Sequence, residues 1–235
     1  MITMKPLRII IAIGTLLLAA CATAPKTTAI VTEPATYTVA NECYVDRPFA
    51  EVWDGLVAEL AKSFFVINNI EKESRIINLS FSTTAPEDYI DCGRTTRTYK
   101  KGKTEQVFEY EIAKDSAYKY SRQVETNAYA NYDVSRRTTL DGRINVFLAP
   151  EGAGTRVTVN VRFIFNVETS GVYEVIAGAL EIRQSTGVVP PTTYTLSFDT
   201  RAPGKDNLGT PSEPAFVTCG SNGKLETSIL DMARK

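Results

Sequence analysis

The sequence predicts an α+β domain, an antiparallel β-sheet with an N-terminal and a C-terminal helix packed on one face. Three stretches carry that expectation. Residues 48 to 64 place Phe49, Val52, Trp53, Leu56, Val57, Leu60, Ala61 and Phe64 at the i, i+3, i+4, i+7 spacing of one helix face. Residues 143 to 167 alternate apolar and polar side chains on both sides of Pro150-Glu151-Gly152-Ala153-Gly154, the pattern of a hairpin. From about Gly223, Leu225, Ile229, Leu230 and Ala233 return to helical spacing, and Arg234-Lys235 sit favourably at the negative end of that helix dipole.

The chain begins with Lys5 and Arg8 before an apolar run, Ile9 to Ala20, that is shorter than the roughly 20 residues a membrane-spanning helix needs. It ends Leu18-Ala19-Ala20-Cys21, which resembles the lipobox of bacterial lipoproteins. The resemblance implies a signal peptide over 1–20, cleavage before Cys21, lipid attachment at its sulfur and acylation (palmitate) of its new amino group. Ala22, where aspartate would retain a lipoprotein in the inner membrane, implies the outer membrane, with the domain facing the periplasm. Residues 21–36, rich in Ala, Thr and Pro, read as a lipidated flexible tether. Residues 37–235 then form a single α+β periplasmic domain.

Within it, Tyr37, Val39 and Asn41 alternate into a first strand over 37–45. Asp46 is positioned to cap the helix of 48–64, with Pro48 in its first turn. Phe65-Val66-Ile67 and Arg75 to Phe81 read as strands on either side of the turn-prone pair Asn68-Asn69. Residues 82–105 read as a long loop with a tight turn at Lys101-Gly102-Lys103. This loop carries Arg94, Arg97, Lys100, Lys101 and Lys103 with no acid between them, a stretch suited to lipid headgroups or an acidic partner. Next, Phe108, Tyr110 and Ile112 alternate. Tyr118, Tyr120, Val124, Ala128, Ala130, Tyr132 and Val134 share one parity, giving an aromatic strand face that is either core or a ligand-stacking surface. Residues 172–184 fit helix or strand. Pro190-Pro191 is expected to break what precedes it, Tyr194, Leu196 and Phe198 form a further strand, and 201–214 form a loop.

Removing Lys5 and Arg8 with the signal leaves 24 basic against 27 acidic residues, a net charge of −3 that gives no electrostatic footprint for nucleic acid. Three cysteines remain beyond Cys21. An exported compartment permits disulfides, and Cys92 and Cys219, each in a Cys-Gly turn, are the expected pair, leaving Cys43 buried in the first strand. The alternative leaves all three as separate buried thiols. The chain has no histidine, no Cys-x-x-Cys, no Gly-x-Ser-x-Gly and no phosphate-binding glycine loop. The usual Ser-His-Asp and Cys-His arrangements and zinc motifs are therefore excluded, and no enzyme, cofactor or metal is expected.

The segment Val45-Asp-Arg-Pro-Phe-Ala-Glu-Val-Trp-Asp-Gly-Leu, followed by Phe65-Val-Ile and Ser74-Arg-Ile-Ile-Asn-Leu, resembles the opening of helix-grip domains. Over roughly residues 43 to 83 it is similar to BamC-like lipoproteins, relatives of a component of the outer-membrane β-barrel assembly machinery. The chain departs from that component in having one domain rather than two and a different long loop, and fold analogy does not supply a function. The resulting expectation is a non-catalytic membrane-anchored lipoprotein. Its periplasmic domain binds a protein or cell-envelope component. The alternative is a periplasmic carrier of a lipid or other hydrophobic small molecule, since helix-grip sheets can curl around a cavity.

Overall fold

The structure, a computed structural model, describes residues 24–178, 182–208 and 215–235. Its backbone is mostly antiparallel sheet with two α-helices, in line with an α+β class. The main sheet is built on β9 (Ala128–Glu151) and β10 (Gly154–Ala177), which pair without a register break from Gly154↔Glu151 to Ala177↔Ala128. Around them lie β3 (Val66–Glu71), β4 (Ile76–Thr83) and β11 (Ile182–Asp199), in the order β11-β10-β9-β4-β3, while β2 (Glu42–Val45) pairs with β10 and β8 (Ser116–Glu125) with β9.

Alternation gives this sheet its core. Leu148, Val146, Ile144 and Leu140 of β9 stand opposite Val157, Val159, Val161 and Phe165 of β10, and all eight are buried. A one-residue slip would turn every one of them to the wrong face, so the register is strongly fixed. Helix α1 (Phe49–Leu60) buries Val52, Trp53, Leu56 and Leu60 in the same core, and α2 (Lys224–Arg234) adds Leu225, Ile229, Leu230 and Ala233. The two helices touch each other and both touch β10. Each such apolar side chain contributes roughly 1.5–3 kcal/mol on burial. Gly142 is required here: it pairs with Phe81 of β4, whose ring lies where a Cβ would stand.

Several elements differ from the sequence reading. Asp46 does not cap α1. Its N-cap is Pro48, without a side-chain hydrogen bond, and Phe64 lies beyond the helix, exposed. The first strand is shorter than expected, beginning only at Glu42. Asn68-Asn69 is no turn. A register shift between Ile67 and Asn69 absorbs Asn68 as a bulge within β3. Residues 82–105 are not a loop. They contain a 3-10 turn (Pro86–Asp88), the short β5 (Ile90–Asp91) and β6 (Arg94–Lys101), which forms a hairpin with β7 (Thr104–Glu111) about Gly102, at φ 57°. The expected turn at 101–103 is therefore present, between two strands.

Within the expected tether, β1 (Lys26–Thr32) pairs with β6 along its whole length. The chain that follows is pinned as well: Ala35 N and Tyr37 Oη donate to the Asp91 carboxylate at 3.1 and 3.2 Å, and Thr32 O occupies the space a Cβ of Gly93 would need. Of residues 172–184, 172–177 and 182–184 are strand and 179–181 lie outside the described residues, and Pro190-Pro191 lie inside β11 rather than ending it. The prolines fall where its register against β10 jumps from Thr192↔Thr169 to Val189↔Gly171, on an edge strand that tolerates missing donors. Part of the expected 201–214 loop is β12 (Gly204–Asn207), in a three-stranded sheet with β13 (Phe216–Ser221) and β5.

Cys92 and Cys219 form a disulfide and Cys43 is a buried free thiol, as the sequence predicts. Next to that bridge, Glu226 in the first turn of α2 is fully buried. Ser221 Oγ donates to its carboxylate at 2.9 Å. Burial holds this carboxyl above its ordinary range, against the lowering effect of hydrogen bonds from its own backbone, Ser221 and Thr200. The native state therefore keeps a proton that the unfolded chain releases. The resulting stabilisation is complete below the usual glutamate value of about 4.3 and is lost as pH rises through the raised native value. Glu226→Gln is expected to remove this pH dependence and to unfold at a higher temperature than the parent at neutral pH. Thermal unfolding of both across the acid-to-neutral range checks it.

Candidate functional site

Beyond the helix-covered core, the continuing halves of β8, β9 and β10 carry a row of tyrosines. Register places Tyr120, Tyr132 and Tyr173 side by side on neighbouring strands. Tyr120 stacks on Tyr132 with centroids 4.4 Å apart, Tyr132 meets Tyr173 at 5.6 Å, and Tyr118 stacks on Tyr110 of β7 at 5.7 Å. The Arg97 guanidinium lies 4.3 Å from the Tyr118 centroid and 5.7 Å from that of Tyr120, and Arg136 lies 5.2 Å from Tyr110. Ring faces are thus taken by other rings and by guanidinium groups. A sugar ring needs an open aromatic face, so this row is a spine that holds the β6–β7 hairpin to the sheet.

The hairpin and the sheet leave an open groove of about 700 Å³ between them. Tyr99, Lys101 and Gln106 line its hairpin side, and Tyr132, Tyr173 and Val188 its sheet side. Burial raises the Tyr99 hydroxyl pKa. This hydroxyl donates to Asn131 Oδ1 at 3.4 Å, an oxygen that Ser121 Oγ also reaches at 2.7 Å. Ionic groups at the groove are already matched, Lys119 with Asp133 at 2.8 Å and Arg183 with Glu174 at 3.0 Å. Val172 and Val188 are directly paired across β10 and β11, yet they are 53 % and 72 % exposed. From Ile182 to Val189, β11 pairs with β10 on one side and has no strand on the other among the described residues. The groove therefore presents a free backbone edge, two solvent-facing valines and neutralised walls. That arrangement suits an extended chain, whose main-chain groups bond to the edge while alternate side chains enter the groove.

The sequence-predicted basic residues are dispersed on the β6–β7 hairpin. Arg94 lies 3.8 Å from Glu111, and Lys100 lies 3.2 Å from Glu105, acids supplied by the neighbouring strand. Arg97 is buried against the tyrosines, Lys101 faces the groove and Lys103 is exposed at the turn. Alternation puts Arg94 and Lys100 on one face of β6 and Arg97 and Lys101 on the other, so the five do not form one surface stripe. Cys21 lies outside the described residues. Among the described residues, no helix is long and apolar enough to cross a membrane and no His, Cys, Asp and Glu side chains gather as a metal-binding group. Sequence reasoning missed the edge of β11, whose signal is the β-branched content of Thr186, Val188 and Val189 just ahead of Pro190.

In comparisons with protein-family models, curated proteins and solved structures, nothing matches this chain.

Proposed function

We propose that the chain is a non-catalytic envelope lipoprotein, anchored through Cys21 in the outer membrane and facing the periplasm, whose domain binds an envelope protein. The partner adds an extended segment to the free edge of β11. The observation that carries this reading is the exposed Val172–Val188 pair beside a strand edge that is unpaired among the described residues, and the 700 Å³ groove. We take α1 and α2 to lie on a single face of the main sheet, in a helix-grip-like arrangement. Their mutual contact and their common core with β10 support this. The carrier alternative needs a hollow between helices and sheet, and that space is filled by Leu56, Leu60, Phe163, Phe165 and Leu225, all at most 2 % exposed.

Photo-cross-linking in intact cells tests the reading. A photoreactive residue at position 188 of the full chain is expected to give a discrete protein adduct. The same residue at Asn145, on the solvent face of β9, is expected to give none. Val172→Lys, a charge beside the edge, should abolish the adduct. Adducts that form equally from both positions, or that survive the lysine, would count against the groove. A hydrophobic small molecule retained by the purified chain in native mass spectrometry would favour the carrier instead. For the anchor, Cys21→Ala is expected to move the protein out of the membrane fraction, and unchanged fractionation would refute it.

A further inference from the structure

The β6–β7 hairpin tip is where two separate features of the chain meet. Lys26, the first residue of β1, pairs directly with Lys100 of β6, and Lys101-Gly102-Lys103 forms the turn just beyond. Lys26, Lys100 and Lys103 are exposed. Along the hairpin the charge is polarised: Glu109 and Glu111 lie toward its base, while at the tip Glu105 stands against Lys100 at 3.2 Å. Lys26 and Lys103 have no ion pair among the described residues. On the other side of β1, Thr27 Oγ1 accepts the backbone N–H of Ser121 at 2.8 Å, which brings exposed Arg122 to the same end of the molecule, with Glu125 three residues further along β8. Pairing of β1 over its full length leaves residues 22 to 25 as the chain between Cys21 and this basic end, a span of no more than about 18 Å when fully extended.

We infer that the lysine-bearing hairpin tip (Lys26, Lys100 and Lys103) rests on the anionic phospholipid headgroups of the membrane that holds the anchor. The inference rests on lipidation of Cys21. A long flexible tether would let the domain turn freely, but a leader of a few residues keeps the tip within reach of the phosphates. Juxtamembrane lysines are attracted to an anionic surface over about one Debye length, roughly 8–10 Å at ordinary salt. The lipid and the lysines then act as two signals, which stable and oriented attachment needs. Orientation follows from the fold. Tyr99, near the tip, bonds to Asn131 of β9, whereas the β3–β4 turn bonds through Arg75 O to Leu148 N at 3.1 Å. Those two points lie 17 residues apart along β9, roughly 55 Å of strand before twist. The β3–β4 turn is thus held away from the bilayer.

The test uses the full lipidated chain purified from membranes and reconstituted into vesicles. A fluorophore is placed at Thr104→Cys in the tip or at Glu73→Cys in the β3–β4 turn, and Cys43, being buried, is left unlabelled. Vesicles contain phosphatidylcholine alone or with phosphatidylglycerol, plus a headgroup quencher. The tip label is expected to be quenched several-fold more than the turn label in anionic vesicles. That difference should collapse in Lys26→Gln/Lys100→Gln/Lys103→Gln and at about 1 M salt, where the Debye length is ~3 Å. Equal quenching at both positions, or a difference indifferent to lipid charge and to the three glutamines, would overturn the inference while leaving the anchor intact. A chain that does not stay with vesicles of either composition would instead refute lipidation, and the inference would fall with it.

Discussion

Replacing Cys92 and Cys219 by alanine is expected to lower the unfolding free energy by about 5 kcal/mol. The bridge spans 127 residues, and in the chain-entropy model a closed loop of that length restricts the unfolded ensemble by about this amount. Both sulfurs are buried, so native packing around them persists when the bond is absent, and the effect falls mainly on the unfolded state. With a urea slope of roughly 2 kcal/mol per molar for a domain of this size, the midpoint should fall by about 2 M or more. The bridge reinforces a junction that also carries the β5–β13 pairing and the bonds of Asn222 to the Tyr89 and Asp88 carbonyls. Cys92 follows Asp91, which holds Ala35 and Tyr37, and Cys219 lies in β13 just ahead of α2. Reduction of the parent chain should reproduce the loss in the double variant. A midpoint unmoved by both reductant and substitution would show that the bridge contributes nothing to stability.

The elements legible in the sequence are those whose pattern is local. The alternation of Ile144, Val146 and Leu148 against Val157, Val159 and Val161 is complete within one hairpin, and the buried stripes of α1 and α2 each repeat within a few turns. The β6 strand escaped notice because its buried face is Thr95, Arg97 and Tyr99. An arginine can occupy such a face only because Tyr118 and Tyr120, more than 20 residues later, offer their rings to it. For β1, a composition of Ala, Thr and Pro masked the β-branched run Thr27-Thr28-Ala29-Ile30-Val31-Thr32, whose partner strand is about 70 residues away. The acids that neutralise Arg94 and Lys100 also come from a neighbouring strand, so a stretch that reads as uniformly basic carries its counter-charges once folded. The groove depends on how β11, β9 and the β6–β7 hairpin meet in space, and no local period encodes that. The Cys92–Cys219 pair was legible from two matching Cys-Gly dipeptides, although Cys219-Gly220 lies within β13 and not in the turn that the dipeptide suggested.

Arg136→Ala should be the most damaging single substitution in the tyrosine spine, at about 3 kcal/mol. Arg136 is 7 % exposed. Its Nη1 donates to Ser116 Oγ at 3.0 Å and its Nη2 to the Ile112 carbonyl at 3.0 Å, and its plane lies over Tyr110. Burial pulls its pKa below the ordinary arginine value. Tyr110, Tyr118 and Asp115 oppose that shift, and the nearby Arg97 adds to it. Truncation leaves the buried Ile112 carbonyl without this donor, a loss of about 1–3 kcal/mol, and removes the cation–π contact and the packing of the side-chain stem. The charge itself is costly to bury, so the apolar replacement Arg136→Met, which refills the volume, should recover part of the loss. Denaturant unfolding of the parent and the two variants measures this. The order parent, then Met, then Ala is the expected result, and equal stability of all three would mean that the spine does not depend on its guanidinium groups. Because the spine carries the β6–β7 hairpin, Arg136→Ala should also weaken the cross-link from position 188, by loosening one wall of the groove. The disulfide variant should leave that cross-link unchanged under conditions where it remains folded.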